Sequence, residues 1–114
     1  MSKPYNHALN SVKKFGGKPE DYMKIYNFMD FSKAGFPGMK HRIVTHHSIG
    51  IYLAEIAFGE TFKNSDGRIV STRDVAEAHV FEDLGRIPTL EDWVKNLPEE
   101  PWMFGMSDKI KIVD

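Results

Sequence analysis

The fold depends on residues 41–59, HRIVTHHSIGIYLAEIAFG, the most apolar long segment of the chain. This stretch also holds three of the five histidines. From Ile49 onward apolar residues occupy almost every position, which predicts a central helix over about residues 40–58, ended by Gly59. Within a helix, Gly50 costs about 1 kcal/mol relative to alanine, so it indicates that something needs the space beside His46.

Shorter amphipathic segments surround this stretch, and each carries a start or stop signal. Asp66-Gly67 supplies the turn of a β-hairpin. The segments are a first helix over residues 5–15, a second helix from Pro19 to about Asp30, the hairpin over 61–70, a fourth helix from Ser71 or Thr72 to Leu84, and a last helix capped by Thr89. They predict a mainly α protein, a compact single-domain bundle of four to five helices with a small β-hairpin, over residues 1–114.

The end of the chain carries two further apolar signals. Trp102, Met103 and Phe104 follow a proline-bounded break and are predicted to fold back on the body as a hydrophobic anchor. Residues 109–113 alternate with period 2. Residues 105–114 are therefore expected to form an extended strand or tail, added to the hairpin or to another subunit.

Composition excludes several classes of protein. The 114 residues contain no cysteine, so a metal could be held only by histidine and carboxylate side chains. Lys and Arg number 15 against 16 Asp and Glu, which gives no strong nucleic-acid signal. Apolar runs fall short of the roughly 20 residues that cross a bilayer, and the amino terminus lacks an apolar signal core. We therefore expect a soluble cytoplasmic protein without a membrane partner.

A metal site is predicted where two helices carry histidines. His79 and Asp83 are four residues apart, so their side chains project from one helix face. The central helix offers His46 and His47, which would complete a set of four ligands. Imidazole and carboxylate favour a divalent transition metal, Zn, Mn, Fe or Ni. Other residues are additional candidates for the site: His7, His41, Glu82, Glu55 and Asp30.

The combination of polar and glycine positions resembles an uncharacterised family of small bacterial and bacteriophage proteins. It is carried by HR-x3-HH-x2-G from His41, by EAHVFEDLG from Glu77 and by IPTLEDW from Ile87, and it extends over about residues 7–97. The resemblance implies no reaction. It implies that nine polar positions belong to a shared pattern: His7, Asp30, His41, Arg42, His46, His47, Glu77, His79 and Asp83.

Three functions are compatible with these residues. The first is a small metal-binding accessory protein of bacterial or phage origin, in the host cytoplasm if phage-encoded, which acts through a protein partner or as a homo-oligomer. The second is a metal-dependent hydrolase of phosphohydrolase type, although His46 is followed by His47 and not by the aspartate of an HD motif. The third is an interaction module in which a buried polar network replaces the metal. No residue pattern defines a reaction, so the sequence does not decide whether the protein is an enzyme.

Overall fold

A computed structural model describes residues 4–35 and 38–105. Its helices are α1 (Pro4–Phe15), α2 (Glu20–Asp30), α3 (Ser48–Phe58), α4 (Thr72–Leu84) and α5 (Leu90–Val94). Strands β1 (Thr61–Lys63) and β2 (Ile69–Ser71) form the hairpin, and 3₁₀ helices span Phe31–Ala34, Met39–Ile43 and Pro101–Phe104. The predicted class, a mainly α bundle with a small β-hairpin, is confirmed.

Helix α2 lies in the middle of the bundle and packs against α1, α3 and α4. Its buried face carries Tyr22, Ile25, Tyr26 and Met29, all without solvent exposure. Ala8 from α1, Ala54 from α3, and Val75 and Val80 from α4 complete the core around it. This arrangement brings the end of α2 close to the second half of α4, where the polar candidates lie.

The predicted end signals of the shorter elements are confirmed. Ser71 caps α4 by accepting a hydrogen bond from the Asp74 amide at 3.2 Å. Gly85 ends that helix in the left-handed conformation that favours glycine (φ 73°). Thr89 and Asp92 form a capping box at the start of α5. In the hairpin, antiparallel pairing sets Phe62 opposite Val70.

The prediction of one helix over residues 40–58 is wrong. The chain forms a 3₁₀ helix over Met39–Ile43, then a turn, and α3 begins only at Ser48. The β-branched run Ile43-Val44-Thr45 has low helix propensity, which is consistent with this break. His46 and His47 therefore lie in a turn before α3 and not on its face.

The predicted hydrophobic anchor is also wrong. Trp102, Met103 and Phe104 form a 3₁₀ helix whose side chains are exposed, Trp102 by 68%. The predicted strand over residues 109–113 lies outside the described residues. Within the described ranges no helix is long and apolar enough to cross a membrane.

Candidate metal centre

Four side chains from three parts of the chain meet in the bundle interior. Asp30 ends α2, His46 lies in the turn before α3, and His79 and Asp83 lie one turn apart on α4. Each offers one ligand atom, and these four atoms all lie within 4.8 Å of one another. His46 and His79 are fully buried, Asp30 is 7% exposed and the Asp83 side chain 4%.

Distances within the cluster show that each carboxylate faces both imidazoles. His46 Nε2 lies 2.9 Å from Asp83 Oδ2 and 3.6 Å from Asp30 Oδ1. His79 Nε2 lies 3.2 Å from Asp30 Oδ1 and 3.5 Å from Asp83 Oδ2. The two imidazole nitrogens and the two carboxylate oxygens thus alternate around a small common space.

The turn that carries His46 is held from two sides. The Thr45 hydroxyl donates a hydrogen bond to the Met29 carbonyl at 2.5 Å, which ties the turn to the end of α2. The indole N–H of Trp93 donates to the His46 carbonyl at 2.9 Å, which ties it to α5. His46 therefore reaches Asp83 from a fixed backbone position, although it does not belong to a helix.

The two ring nitrogens of His46 make contacts of different length. Nδ1 lies 3.4 Å from the Thr45 hydroxyl, whose hydrogen goes to the Met29 carbonyl. Nε2 lies 2.9 Å from Asp83 Oδ2, the shorter contact, so hydrogen bonding assigns the N–H of Nε2 as the donor to this carboxylate when no ion is bound. A metal ion would take the place of that proton.

The ionisation of the cluster suits metal binding. Burial would raise the pKa of Asp83, but its contacts with His46 and His7 outweigh burial and hold that pKa well below its usual range. Burial acts in the same way on Asp30, and its hydrogen bond with His79 keeps the Asp30 pKa lowered. For His79, burial prevails over the attraction of Asp30 and lowers the pKa. Ionised carboxylates and a neutral imidazole are the forms that bind a metal.

His47, predicted as a ligand, lies apart from these four groups. Its Nδ1 accepts a hydrogen bond from the Gly50 amide at 3.0 Å, and its Nε2 contacts the carbonyl oxygens of Ile43 and Val44 at 2.9 and 3.1 Å. Both ring nitrogens are thus engaged by backbone, and His47 acts as the N-cap of α3. Asp30, an additional candidate in the sequence, occupies the place expected for His47.

Gly50 makes room for backbone and not for the cluster. A Cβ atom at this position would lie 1.8 Å from the carbonyl oxygen of Thr45. The space that the sequence indicated beside His46 is therefore filled by the turn that precedes the helix.

Three additional candidates, His7, Glu82 and His41, lie close to the four-residue cluster. His7 Nε2 lies 3.1 Å from Asp83 Oδ1, and Glu82 Oε1 lies 3.4 Å from His7 Nδ1. The ring of His41 is fully buried with its centre 5.8 Å from that of His46, and neither of its nitrogens has a hydrogen-bond partner in the described part of the chain. Glu55, in contrast, accepts from Arg73 Nε at 3.3 Å on α3 and takes no part in the cluster.

Two features of the site were not predicted from the sequence. One is Thr45, whose hydroxyl orients His46; a threonine directly before a histidine is too common a pattern to signal such a role. The other is the contact of Arg42 with Asp83, in which the guanidinium lies 3.7 Å from Asp83 Oδ1. A separate surface cleft beside α1 and α4 includes Lys14, Glu77 and Phe81 in its lining but none of the four cluster residues.

Fold and site together define a small helical protein with a buried His/Asp cluster that could hold a metal ion. The chain belongs to the family described as Domain of unknown function (DUF6915), whose family model matches residues 2–103. The searches of curated proteins and of solved structures found no match.

Proposed function

We propose that the protein is a metal-binding accessory protein in which one divalent transition metal ion joins α2, α4 and the turn before α3. The convergence of Asp30, His46, His79 and Asp83 on one buried point carries the proposal. Two ligands that each lie about 2.0–2.1 Å from a tetrahedral ion are about 3.3 Å apart. The contacts of 2.9–3.6 Å between imidazole and carboxylate in the cluster bracket that separation.

Two buried carboxylates in one cluster support a cation over a simple hydrogen-bond network. An ion that replaces the Nε2 proton of His46 would accept the nitrogen lone pair and the Asp83 oxygen together, and it would offset the two negative charges of Asp30 and Asp83. Imidazole nitrogen with carboxylate oxygen favours Zn, Mn, Fe or Ni.

Burial supports a stabilising ion over a catalytic one. Catalytic metal sites keep a coordination position open to water or substrate, whereas structural sites are closed by protein. The four groups are at most 7% exposed. The exposed side chains of Ile49, Tyr52, Leu53 and Ile56 lie on one face of α3 and favour action through another protein surface, a second copy or a different chain. Light scattering after size exclusion distinguishes a dimer from a monomer.

Elemental analysis of the purified protein tests the metal directly. We expect about one equivalent of a transition metal, removable by chelator and restored by Zn, Mn, Fe(II) or Ni. At a free metal concentration near 100 times Kd, binding should stabilise the fold by about 2.7 kcal/mol. Less than about a tenth of an equivalent, with no thermal shift on adding any of these ions, would overturn the proposal.

His79→Ala should remove the bound metal, because it deletes a ligand from the centre of the cluster. His47→Asn is the matched control, since it changes a buried histidine of the neighbouring turn whose nitrogens are engaged by backbone. Unchanged metal content in His79→Ala would contradict the ligand set, whatever the control shows.

A further inference from the structure

A fifth histidine of the chain, His7 on α1, is buried beside the four-residue cluster. It is 1% exposed, and its Nε2 lies 3.1 Å from Asp83 Oδ1. Despite this contact, neither ring nitrogen makes a hydrogen bond of good geometry to any described residue. A buried imidazole with two such nitrogens is costly unless another group completes its contacts.

The two oxygens of Asp83 face different imidazoles. Oδ2 faces His46 and His79, at 2.9 and 3.5 Å, while Oδ1 faces His7. The rings of His7 and His79 are tilted neighbours with centres 4.2 Å apart. A cation bound through both oxygens of Asp83 would therefore have three imidazoles beside it.

Glu82 lies on the other side of the His7 ring. Its Oε1 is 3.4 Å from His7 Nδ1, and the Asn10 side chain donates to the same oxygen at 2.5 Å. A metal-bound histidine commonly donates a hydrogen bond from its second ring nitrogen to a carboxylate, which fixes the tautomer and the ring orientation. Glu82 would place the proton on Nδ1 and leave the Nε2 lone pair directed toward Asp83.

We propose that His7 Nε2 is a further ligand of the ion and that Glu82 is its positioning residue. This inference rests on the proposed function. Three imidazoles and two carboxylates exceed a tetrahedral shell, so the site should prefer five- or six-coordinate Mn, Fe, Co or Ni over Zn.

Cobalt(II) is a suitable probe, because each coordinated imidazole keeps one exchangeable N–H whose proton resonance is shifted far outside the normal range by the paramagnetic ion. The wild-type chain should show three such signals in water, from His7, His46 and His79. His7→Gln should show two, and it can still donate to Asp83. Val12→Ala shortens a core side chain on the same helix and should keep all three.

Glu82→Ala tests the positioning role. Because it removes the partner of His7 and not a ligand, all three signals should remain while the cobalt Kd rises about 10- to 100-fold. An unchanged Kd would overturn this role.

Two shifted signals in the wild-type chain, or three in His7→Gln, would overturn the ligand assignment and leave the four-residue site intact. Failure of the wild-type chain to bind cobalt would overturn the proposed function itself. The wild-type count decides between three imidazoles and two even if His7→Gln does not fold.

Discussion

The imidazole Nε2 of His46 lies 2.9 Å from Oδ2 of Asp83, although 37 residues separate the two positions in the chain. This contact connects the turn before α3 to the last turn of α4. Asp83 also meets His7 and Arg42 through its other oxygen, so one carboxylate joins groups from three separate segments. The stability of the metal-free protein should therefore depend strongly on this side chain.

Asp83→Ala should lower the free energy of unfolding of the metal-free protein by about 3–5 kcal/mol, because Arg42 would be left buried without its counter-charge. Urea denaturation in the presence of chelator measures this change. Glu91→Gln, on the exposed face of α5, is the control and should stay within about 0.5 kcal/mol of wild type. A loss below about 1 kcal/mol in Asp83→Ala would show that the carboxylate is not the centre of the network.

His47→Ala should reduce stability without changing metal content. The side chain caps α3 through the Gly50 amide, and loss of such a cap costs about 1–2 kcal/mol. Thermal unfolding and elemental analysis of the same sample separate the two effects. If the variant remains folded and loses its metal, His47 has a direct role at the ion that its backbone contacts do not reveal.

Local patterns were sufficient to predict most of the fold. Capping residues such as Ser71 and Thr89, and the Asp66-Gly67 turn, act over a few neighbouring residues and therefore predict element boundaries directly. The pair His79 and Asp83 was predicted for the same reason, since helical spacing alone aligns it. The boundary signals and the helical spacing of His79 and Asp83 are both independent of the rest of the fold.

The remaining features of the site depend on contacts between distant segments. Asp30 joins the cluster because α2 packs against α4, which spacing along the chain does not encode. The helix break before Ser48 depends on Thr45 bonding to Met29 and on its carbonyl approaching Gly50. That break separates His46 from His47, two neighbours that periodicity alone treated as equivalent.

Gly50→Ala should destabilise the protein even though alanine is the better helix former by about 1 kcal/mol. The new Cβ would lie 1.8 Å from the Thr45 carbonyl oxygen, so the turn must move. We expect a loss of about 3 kcal/mol or more in urea denaturation, and weaker metal binding because the turn carries His46.

Gly35→Ala is the control for this substitution. Gly35 has open space around its Cβ position, and its φ of −107° suits alanine. The free energy of unfolding of Gly35→Ala should stay within about 0.5 kcal/mol of wild type. Equal stability of the two variants would show that the Thr45 turn is free to adjust.

Asp21 should make the stability of the fold depend on acid pH at a site distant from the metal. Its carboxylate accepts hydrogen bonds from the Lys18 amide at 2.8 Å and from the Ser65 amide and hydroxyl at 2.9 and 2.7 Å, which ties the hairpin turn to the start of α2. Burial slightly opposes ionisation, but these hydrogen bonds outweigh it and lower the Asp21 pKa in the folded state.

Because the unfolded chain binds the proton more readily, this contribution is complete above the ordinary aspartate pKa of about 4 and is lost as pH falls through the lower folded value. Asp21→Asn should cost about 1 kcal/mol at pH 7, a small value because the group is partly exposed. The difference from wild type should shrink below about pH 4 in urea denaturation. A constant gap between Asp21→Asn and wild type across this range would mean that the side chain acts through its shape and not its charge.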